Sequence, residues 1–183
     1  MPAVEFDWAT ETARHVGTVV HRELQRIARD GARPAPADPR LHRRWHDELA
    51  ELGVPRDLRG GAVERVAQAL ERTLAHDRGR WLLRADHRGS ATELALTGRV
   101  NGEILRVVID RTFVDADGVR WIVDYKTSRH EGAGLEEFLD REQERYRPQL
   151  ERYATFMRRL GPETVRLGLY FPLLAAWREW PAD

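Results

Sequence analysis

The sequence has no cysteine among its 183 residues. That absence excludes disulfide bonds, thiolate zinc sites, iron–sulfur clusters and a cysteine nucleophile. A bound metal ion must therefore be held by histidine, carboxylate and backbone oxygen ligands. Such ligands favour hard or borderline cations.

Long apolar segments are also missing. No run approaches the ~18 residues that a membrane-spanning helix requires, and the N-terminal MPAVEFDWATETARHV lacks the basic and apolar regions of a secretory signal. We therefore expect a soluble, cytoplasmic protein that does not associate with membranes. The phosphate-binding pattern G-x-x-x-x-G-K-[ST] is absent too, so we expect no ATPase activity in this chain.

The chain has no excess of one charge, since 30 basic residues balance 30 acidic residues. Overall charge thus gives no indication of nucleic-acid binding, although a basic groove can still form locally. Lysine is nearly absent: Lys126 is the single lysine, and every other basic residue is arginine. Because lysine is a compact charge with a movable pKa and arginine a permanently charged planar group, this position is a candidate for chemistry that needs lysine.

Apolar residues recur at helical spacing in the N-terminal part of the chain. This spacing predicts helices over residues 9–29, 40–52 and 62–76. A Pro/Ala-rich connector at 31–39 separates the first two. Glycines at 60–61 and 132–134 are predicted breaks.

The middle of the chain changes to the period of β-strands. We predict strands over 92–97, 104–114 and 119–125, a helix over 135–146, a second helix from Pro148 to residue 160, a strand over 164–171 and an edge strand at 177–180. This order predicts an α/β fold, a sheet with helices on its faces. We expect one domain over residues 1–183, mainly helical over 1–78 and with an α/β core over 92–183.

The register of the predicted hairpin decides whether two aspartates face each other. A three-residue loop of Ala116, Asp117 and Gly118 pairs Asp110 with Asp124. Like charges in that position destabilise a sheet unless a divalent cation lies between them. A two-residue Asp117-Gly118 turn puts Asp110 on the opposite face, and the sequence leaves both registers open.

The two strands of this hairpin carry a recognisable pattern. V-V-I-D, ending at Asp110, and W-I-V-D-Y-K, which contains Asp124 and Lys126, resemble the core motif of RecB-like and AddA-like nucleases of the PD-(D/E)XK superfamily. Period-two alternation puts Asp124 and Lys126 on one strand face. Val107 stands where members of the family often have a small residue.

Three further segments fit the same family. G-T-V-V-H, ending at His21, resembles its N-terminal G-T-x-x-H helix, and Q-L-E-R-Y, from Gln149 to Tyr153, resembles its Q-x-x-x-Y motif. Glu93 matches a frequent acidic position ahead of the first catalytic aspartate. The resemblance implies a PD-(D/E)XK core, a mixed β-sheet flanked by helices, with an N-terminal helical elaboration.

The resemblance also implies roles for these residues. Asp110, Asp124 and His21 are expected to bind Mg²⁺ or Mn²⁺, together with the backbone carbonyl of Tyr125. Lys126 is expected to orient the attacking water or to neutralise charge on the phosphate. Gln149 and Tyr153 lie one turn apart on one helix face, and both are expected to act at the site.

The function implied is a metal-dependent deoxyribonuclease that hydrolyses phosphodiester bonds of single-stranded DNA. Related domains belong to helicase-nucleases that process broken DNA ends, so we expect a helicase motor as a partner and a role as an exonuclease in DNA repair and recombination. A catalytically silent DNA-end-binding module on the same fold is the first alternative. A purely structural interaction domain, which zero net charge favours, is the second.

Overall fold

The computed structural model describes residues 3–100, 102–128, 130 and 134–183, and for residues 3–10 the backbone alone. The described helices are α1 (Ala3–Asp30), α2 (Pro39–Glu51), α3 (Arg56–Ala75), α4 (Asp77–Leu82) and α5 (Leu135–Met157). The strands are β1 (Arg88–Val100), β2 (Glu103–Val114), β3 (Arg120–Tyr125), β4 (Val165–Phe171) and β5 (Ala176–Pro181). No described helix combines the length and apolarity needed to cross a membrane.

The described residues fall into two compact units. One lies within Met1–Leu83, Lys126–Arg129 and Phe171–Ala175, and the other within Arg84–Tyr125, His130–Tyr170 and Ala176–Asp183. The first is mainly helical and the second contains the sheet. The expectation of one domain over residues 1–183 stays a prediction.

The helical unit is built on the apolar faces of α1, α2 and α3. The three predicted helices are confirmed, and Asp38 caps α2 by accepting the backbone N–H of Arg40 at 2.8 Å. The predicted break at Gly60-Gly61 is wrong, because both glycines lie inside α3. Each costs a helix about 1 kcal/mol relative to alanine. Burial of apolar residues on the following turns, Val63, Val66 and Leu70 among them, outweighs that cost.

The second unit contains a mixed five-stranded sheet in the order β1-β2-β3-β4-β5. Strands β1, β2 and β3 pair antiparallel, whereas β3 and β4 pair parallel. Helix α5 makes the crossover between the parallel strands and packs against β3 and β5. The predicted α/β class is therefore confirmed, with a longer first strand than the predicted 92–97 and with the predicted edge strand present as β5.

The hairpin of β2 and β3 turns through the three residues 116–118, because the N–H of Asp115 donates to the carbonyl of Val119 at 3.0 Å. This is the first of the two predicted registers. Arg111 pairs with Val123 and Val114 with Arg120, and Gly118 takes a left-handed conformation with φ of +81°. The Asp115 side chain accepts the N–H of Val119 at 2.9 Å and stabilises the turn. The two-residue alternative is wrong.

Helix α5 runs through Pro148 without interruption, so the prediction of two helices is wrong. Proline cannot donate the hydrogen bond that a helix interior needs, which costs about 3 kcal/mol. The helix persists because it buries side chains on both sides of the proline, including Leu139, Leu150 and Ala154. It begins after Gly134, which has a φ of +83°, while the predicted loop residue Gly132 lies outside the described residues.

Candidate active site

Strand β3 carries a carboxylate into the interior of the sheet. Its residues from Trp121 to Tyr125 are all buried. Most of them are the β-branched and aromatic types that favour β-strands. Asp124 is one of the buried residues, with only 4% of its surface exposed. Since a buried carboxylate is costly unless it is bonded or bound to a cation, its place in this strand points to a function.

Helix α5 supplies the hydrogen bond that orients Asp124. The side-chain amide of Gln149 donates to Asp124 Oδ1 at 3.2 Å and to the hydroxyl oxygen of Tyr153 at 2.7 Å. The two α5 residues are four apart and so share one helix face. The structure thus brings together the aspartate of the D-x-K motif and both ends of the Q-x-x-x-Y motif.

Asp110 lies where β2 and β3 begin to separate. The last backbone pair of that ladder is Arg111 with Val123, one residue before Asp110 and Asp124 would pair. At this point the Asp110 carboxylate accepts the backbone N–H of Tyr125 at 2.9 Å. The bond fixes Asp110 next to the peptide group that follows Asp124.

Glu93 on β1 lies opposite Asp110 on β2. Thr92 pairs with Arg111 and Leu94 with Ile109, which leaves Glu93 between two regular pairs. Its φ of +48° is left-handed, a conformation that costs a non-glycine residue about 1–2 kcal/mol. Carboxylate oxygens of Glu93 and Asp110 lie within 4.8 Å of each other. Strain at such a position is typical of functional sites.

Two buried side-chain groups near these acids, the Tyr125 phenol and the Arg111 guanidinium, were not predicted from the sequence. Burial raises the pKa of the Tyr125 phenol, nearby Arg111 opposes that rise, and the charges of Asp110 and Glu93 add to it. The Arg111 guanidinium, with its pKa lowered by burial, donates to Ser90 Oγ at 2.6 Å and to the Arg84 carbonyl at 2.8 Å. Arg111 thus anchors β2 beside Asp110.

Lys126 is the first residue after β3, which ends at Tyr125. The predicted alternation of side chains along the strand therefore stops before Lys126. Lys126 is half-buried. In the helical unit, α1 approaches the next residue so closely that a Cβ on Gly17 would lie 2.7 Å from Thr127 Oγ1. The glycine of the G-T-x-x-H segment is therefore required by packing against the residue after Lys126. His21, one turn further along α1, is half-buried, and its role as a ligand stays a prediction.

The donor set fits a hard divalent cation. Glu93 and Asp110 offer neighbouring carboxylate oxygens, and Asp124 offers a third carboxylate beside the Tyr125 peptide group. Oxygen donors of this kind are those that Mg²⁺ and Mn²⁺ prefer. The arrangement can hold a cation among carboxylates that would otherwise repel each other.

Comparison with known proteins agrees with this chemistry. The family model of the PD-(D/E)XK nuclease superfamily matches residues 4–176. No curated protein is significantly similar to the chain. Among solved structures, the crystal structure of SSO0001 is similar over 87% of this chain and 66% of its own, with 16% sequence identity and a TM-score of 0.32. This chain thus covers less than two thirds of that protein's length.

Proposed function

Because the chain belongs to the PD-(D/E)XK nuclease superfamily, whose members are generally metal-dependent nucleases, we propose that it is a Mg²⁺- or Mn²⁺-dependent deoxyribonuclease. Its substrate is single-stranded DNA, and the reaction is hydrolysis of a phosphodiester bond. We assign the catalytic work to Asp110, Asp124, Lys126, Gln149 and Tyr153. His21 and the Tyr125 carbonyl complete the proposed metal ligands.

The observation that carries this proposal is the pair of acids on β1 and β2, next to the strand that holds Asp124. Carboxylate oxygens of Glu93 and Asp110 lie within 4.8 Å, and Asp110 is bonded to the N–H of Tyr125, the residue after Asp124. A stable protein gains nothing from gathering carboxylates in this way, because like charges repel. A cation site explains both their grouping and the strained backbone of Glu93.

Each residue of the site has a chemical task in this proposal. A divalent cation, when bound by His21 and by the carboxylates of Glu93, Asp110 and Asp124, would supply a Lewis acid for the scissile phosphate and would lower the pKa of the attacking water. Lys126 orients that water or stabilises negative charge on the phosphate. Gln149 holds the Asp124 carboxylate in place through its amide, and Tyr153 holds Gln149.

Cleavage of an end-labelled single-stranded oligonucleotide tests the proposal. We expect products with Mg²⁺ or Mn²⁺, no products in EDTA, and no products from Asp110→Asn with either metal. Binding without cleavage by the wild type would instead support the silent DNA-end-binding module. If the wild type neither binds nor cleaves DNA, a structural interaction domain is the function that remains.

We further propose that the domain is the nuclease module of a helicase-nuclease that processes broken DNA ends in repair and recombination. The G-T-x-x-H and Q-x-x-x-Y segments support this assignment to the RecB-like and AddA-like branch, and a helicase motor is the expected partner. An exonuclease of this kind degrades a linear single strand and spares a covalently closed circle of the same sequence. Equal cleavage of both substrates would contradict the exonuclease assignment.

A further inference from the structure

The hairpin of β1 and β2 has one face that is open along its length. We define the open hairpin face by the alternate residues Glu93, Ala95, Thr97 and Arg99 on β1 and Ile104, Arg106, Val108 and Asp110 on β2. All are exposed except Asp110, which is half-buried. Ala95 pairs with Val108, Thr97 with Arg106 and Arg99 with Ile104, so these side chains share one face.

The other face of the hairpin is covered by protein. Val107 and Ile109 on that face are buried. A Cβ on Gly98 would lie 2.9 Å from the Phe156 ring of α5. Arg159, just beyond α5, donates to the Arg99 carbonyl at 2.7 Å. The hairpin is therefore held from one side, which leaves the open hairpin face available for a ligand.

Two arginines carry positive charge on the half of the open hairpin face toward the hairpin tip, whereas the acids Glu93 and Asp110 lie at its other end. Arg99 and Arg106 are diagonal neighbours across the two strands, a relation that separates side chains by about 7–8 Å. Neither forms an ion pair with any residue the structure describes. Alternation assigns Glu103, the acid nearest the hairpin tip, to the other face. Two neighbouring guanidinium groups without a described acidic partner favour an anionic ligand.

Apolar and hydroxyl side chains separate these charges. Ile104 is 72% exposed and Val108 37%, and Thr97 lies opposite Arg106. Exposed aliphatic groups between phosphate-binding guanidiniums suit a chain that alternates charged phosphates with apolar sugar and base surfaces. An acidic protein partner would bind the two arginines, but it would not match the alternation of charged and apolar side chains.

We propose that the open hairpin face binds the substrate strand and guides it into the active site. The inference rests on the proposed nuclease function and adds the surface by which DNA is held. The face ends at Glu93 and Asp110, the neighbouring acids of the candidate metal centre. Arg106 precedes Asp110 by four residues, or about 13 Å of extended strand. The arginines thus hold phosphates that flank the one being cut.

The test compares the salt dependence of DNA binding in two double variants. Affinity for a fluorescent single-stranded oligonucleotide is measured in EDTA over a range of salt concentrations. For Arg99→Ala/Arg106→Ala we expect at least tenfold weaker binding, and a slope of log affinity against log salt that is smaller by about 1.4, since each phosphate contact contributes about 0.7. Arg43→Ala/Arg56→Ala is the matched control, because both arginines are exposed and lie on helices; it should keep the wild-type slope.

The outcomes separate the inference from the function on which it rests. Wild type that cleaves DNA, with an unchanged slope and affinity in Arg99→Ala/Arg106→Ala, overturns the binding surface and leaves the nuclease intact. A protein that neither binds nor cleaves DNA overturns both. Sedimentation of wild type and Ile104→Asp tests whether a second copy of the chain binds the open hairpin face instead. A wild-type dimer that Ile104→Asp dissociates would assign the face to that copy and overturn the proposal.

Discussion

Among the residues that the structure describes, the two most deeply buried carboxylates lie one in each compact unit, and they are held in different ways. Glu23 on α1 is 2% exposed and receives hydrogen bonds from Arg44 at 2.7 and 2.8 Å and from Arg26 at 2.7 Å. Asp124 on β3 is 4% exposed and receives the amide of Gln149 at 3.2 Å.

The difference separates a carboxylate that holds helices together from one that is positioned for chemistry. Two guanidinium groups compensate the charge of Glu23 directly, and the one from Arg44 connects α1 to α2. An amide orients a carboxylate without changing its charge, so Gln149 holds Asp124 in place for the metal-ligand role that we propose. Loss of the first should affect stability, and loss of the second should affect catalysis.

Asp124→Asn should have the largest effect. We expect cleavage to slow at least ~1000-fold, about 4 kcal/mol in the barrier, because the amide cannot bind the cation as an anion does. The fold should remain, since asparagine keeps an oxygen that accepts from Gln149. Single-turnover cleavage with Mn²⁺ and thermal melting without metal would measure the two effects. A variant that keeps a tenth of the activity would contradict the comparison.

Lys126 provides the next test, on the same segment as Asp124. Lys126→Ala should reduce cleavage ~100-fold, about 2.7 kcal/mol, with DNA and metal binding nearly unchanged. Lys126→Arg should also be impaired, because a planar guanidinium does not replace a compact, titratable ammonium group. Cleavage rates and DNA affinity of both variants would be compared, and full activity of the arginine variant would refute the role of the single lysine.

Mn²⁺ should stabilise the wild type through the same carboxylates. At a hundredfold excess over its Kd the expected gain is about 2.7 kcal/mol. Asp110→Asn should lose that gain, while its stability without metal stays equal to the wild type or rises because one repulsive charge is removed. Thermal melts of both proteins with and without Mn²⁺ give the answer. An equal rise in both melting temperatures would show that Asp110 is not a ligand.

Glu23→Gln sharpens the comparison from the structural side. We expect a loss of about 1–3 kcal/mol of unfolding free energy, because two arginines lose their acid; their own partial exposure keeps the loss below that of a fully buried pair. The cleavage rate per folded molecule should not change. Glu11→Gln, which removes an exposed pair with Arg14, is the control and should change stability by less than ~0.5 kcal/mol. Urea unfolding measures both.

Tyr153→Phe should have the smallest effect. It removes the hydroxyl that accepts from Gln149 and leaves the ring in the core, at a cost of about 1 kcal/mol or a few-fold in rate. If Tyr153 acts by holding Gln149, then Gln149→Ala combined with Tyr153→Phe should be no slower than Gln149→Ala alone. Additive losses would show that the hydroxyl acts independently.

The parts of the fold that depend on local chemistry could be predicted from the sequence. For the hairpin, the sequence narrowed the register to two alternatives, and the structure has the Ala116-Asp117-Gly118 loop, in which Gly118 adopts the left-handed conformation that a three-residue loop requires. The predicted helix breaks at Gly60-Gly61 and before Pro148 were wrong, because local residue preferences do not decide the structure there. At those points burial of apolar neighbours, a tertiary effect, overrides the local preference.

The finer geometry of the site could not be predicted. The bond from the Tyr125 N–H to Asp110 exists because β2 and β3 separate just there, and no residue type marks that point. The left-handed backbone of Glu93 could not be predicted either, because glutamate has no preference for that conformation. The motif spacing identified these residues, and the structure adds that the carboxylates of Glu93 and Asp110 are neighbours.

The single, half-buried lysine has a practical consequence for covalent labelling. Apart from an N-terminal amine, Lys126 is the only amine that an acylating reagent can modify, so the peptide that contains Lys126 reports on its accessibility through one added mass. DNA bound at the site should slow this modification, and arginines elsewhere on the surface add no background. The rate of label uptake would therefore measure site occupancy directly in a mixture, without a tag or an engineered residue.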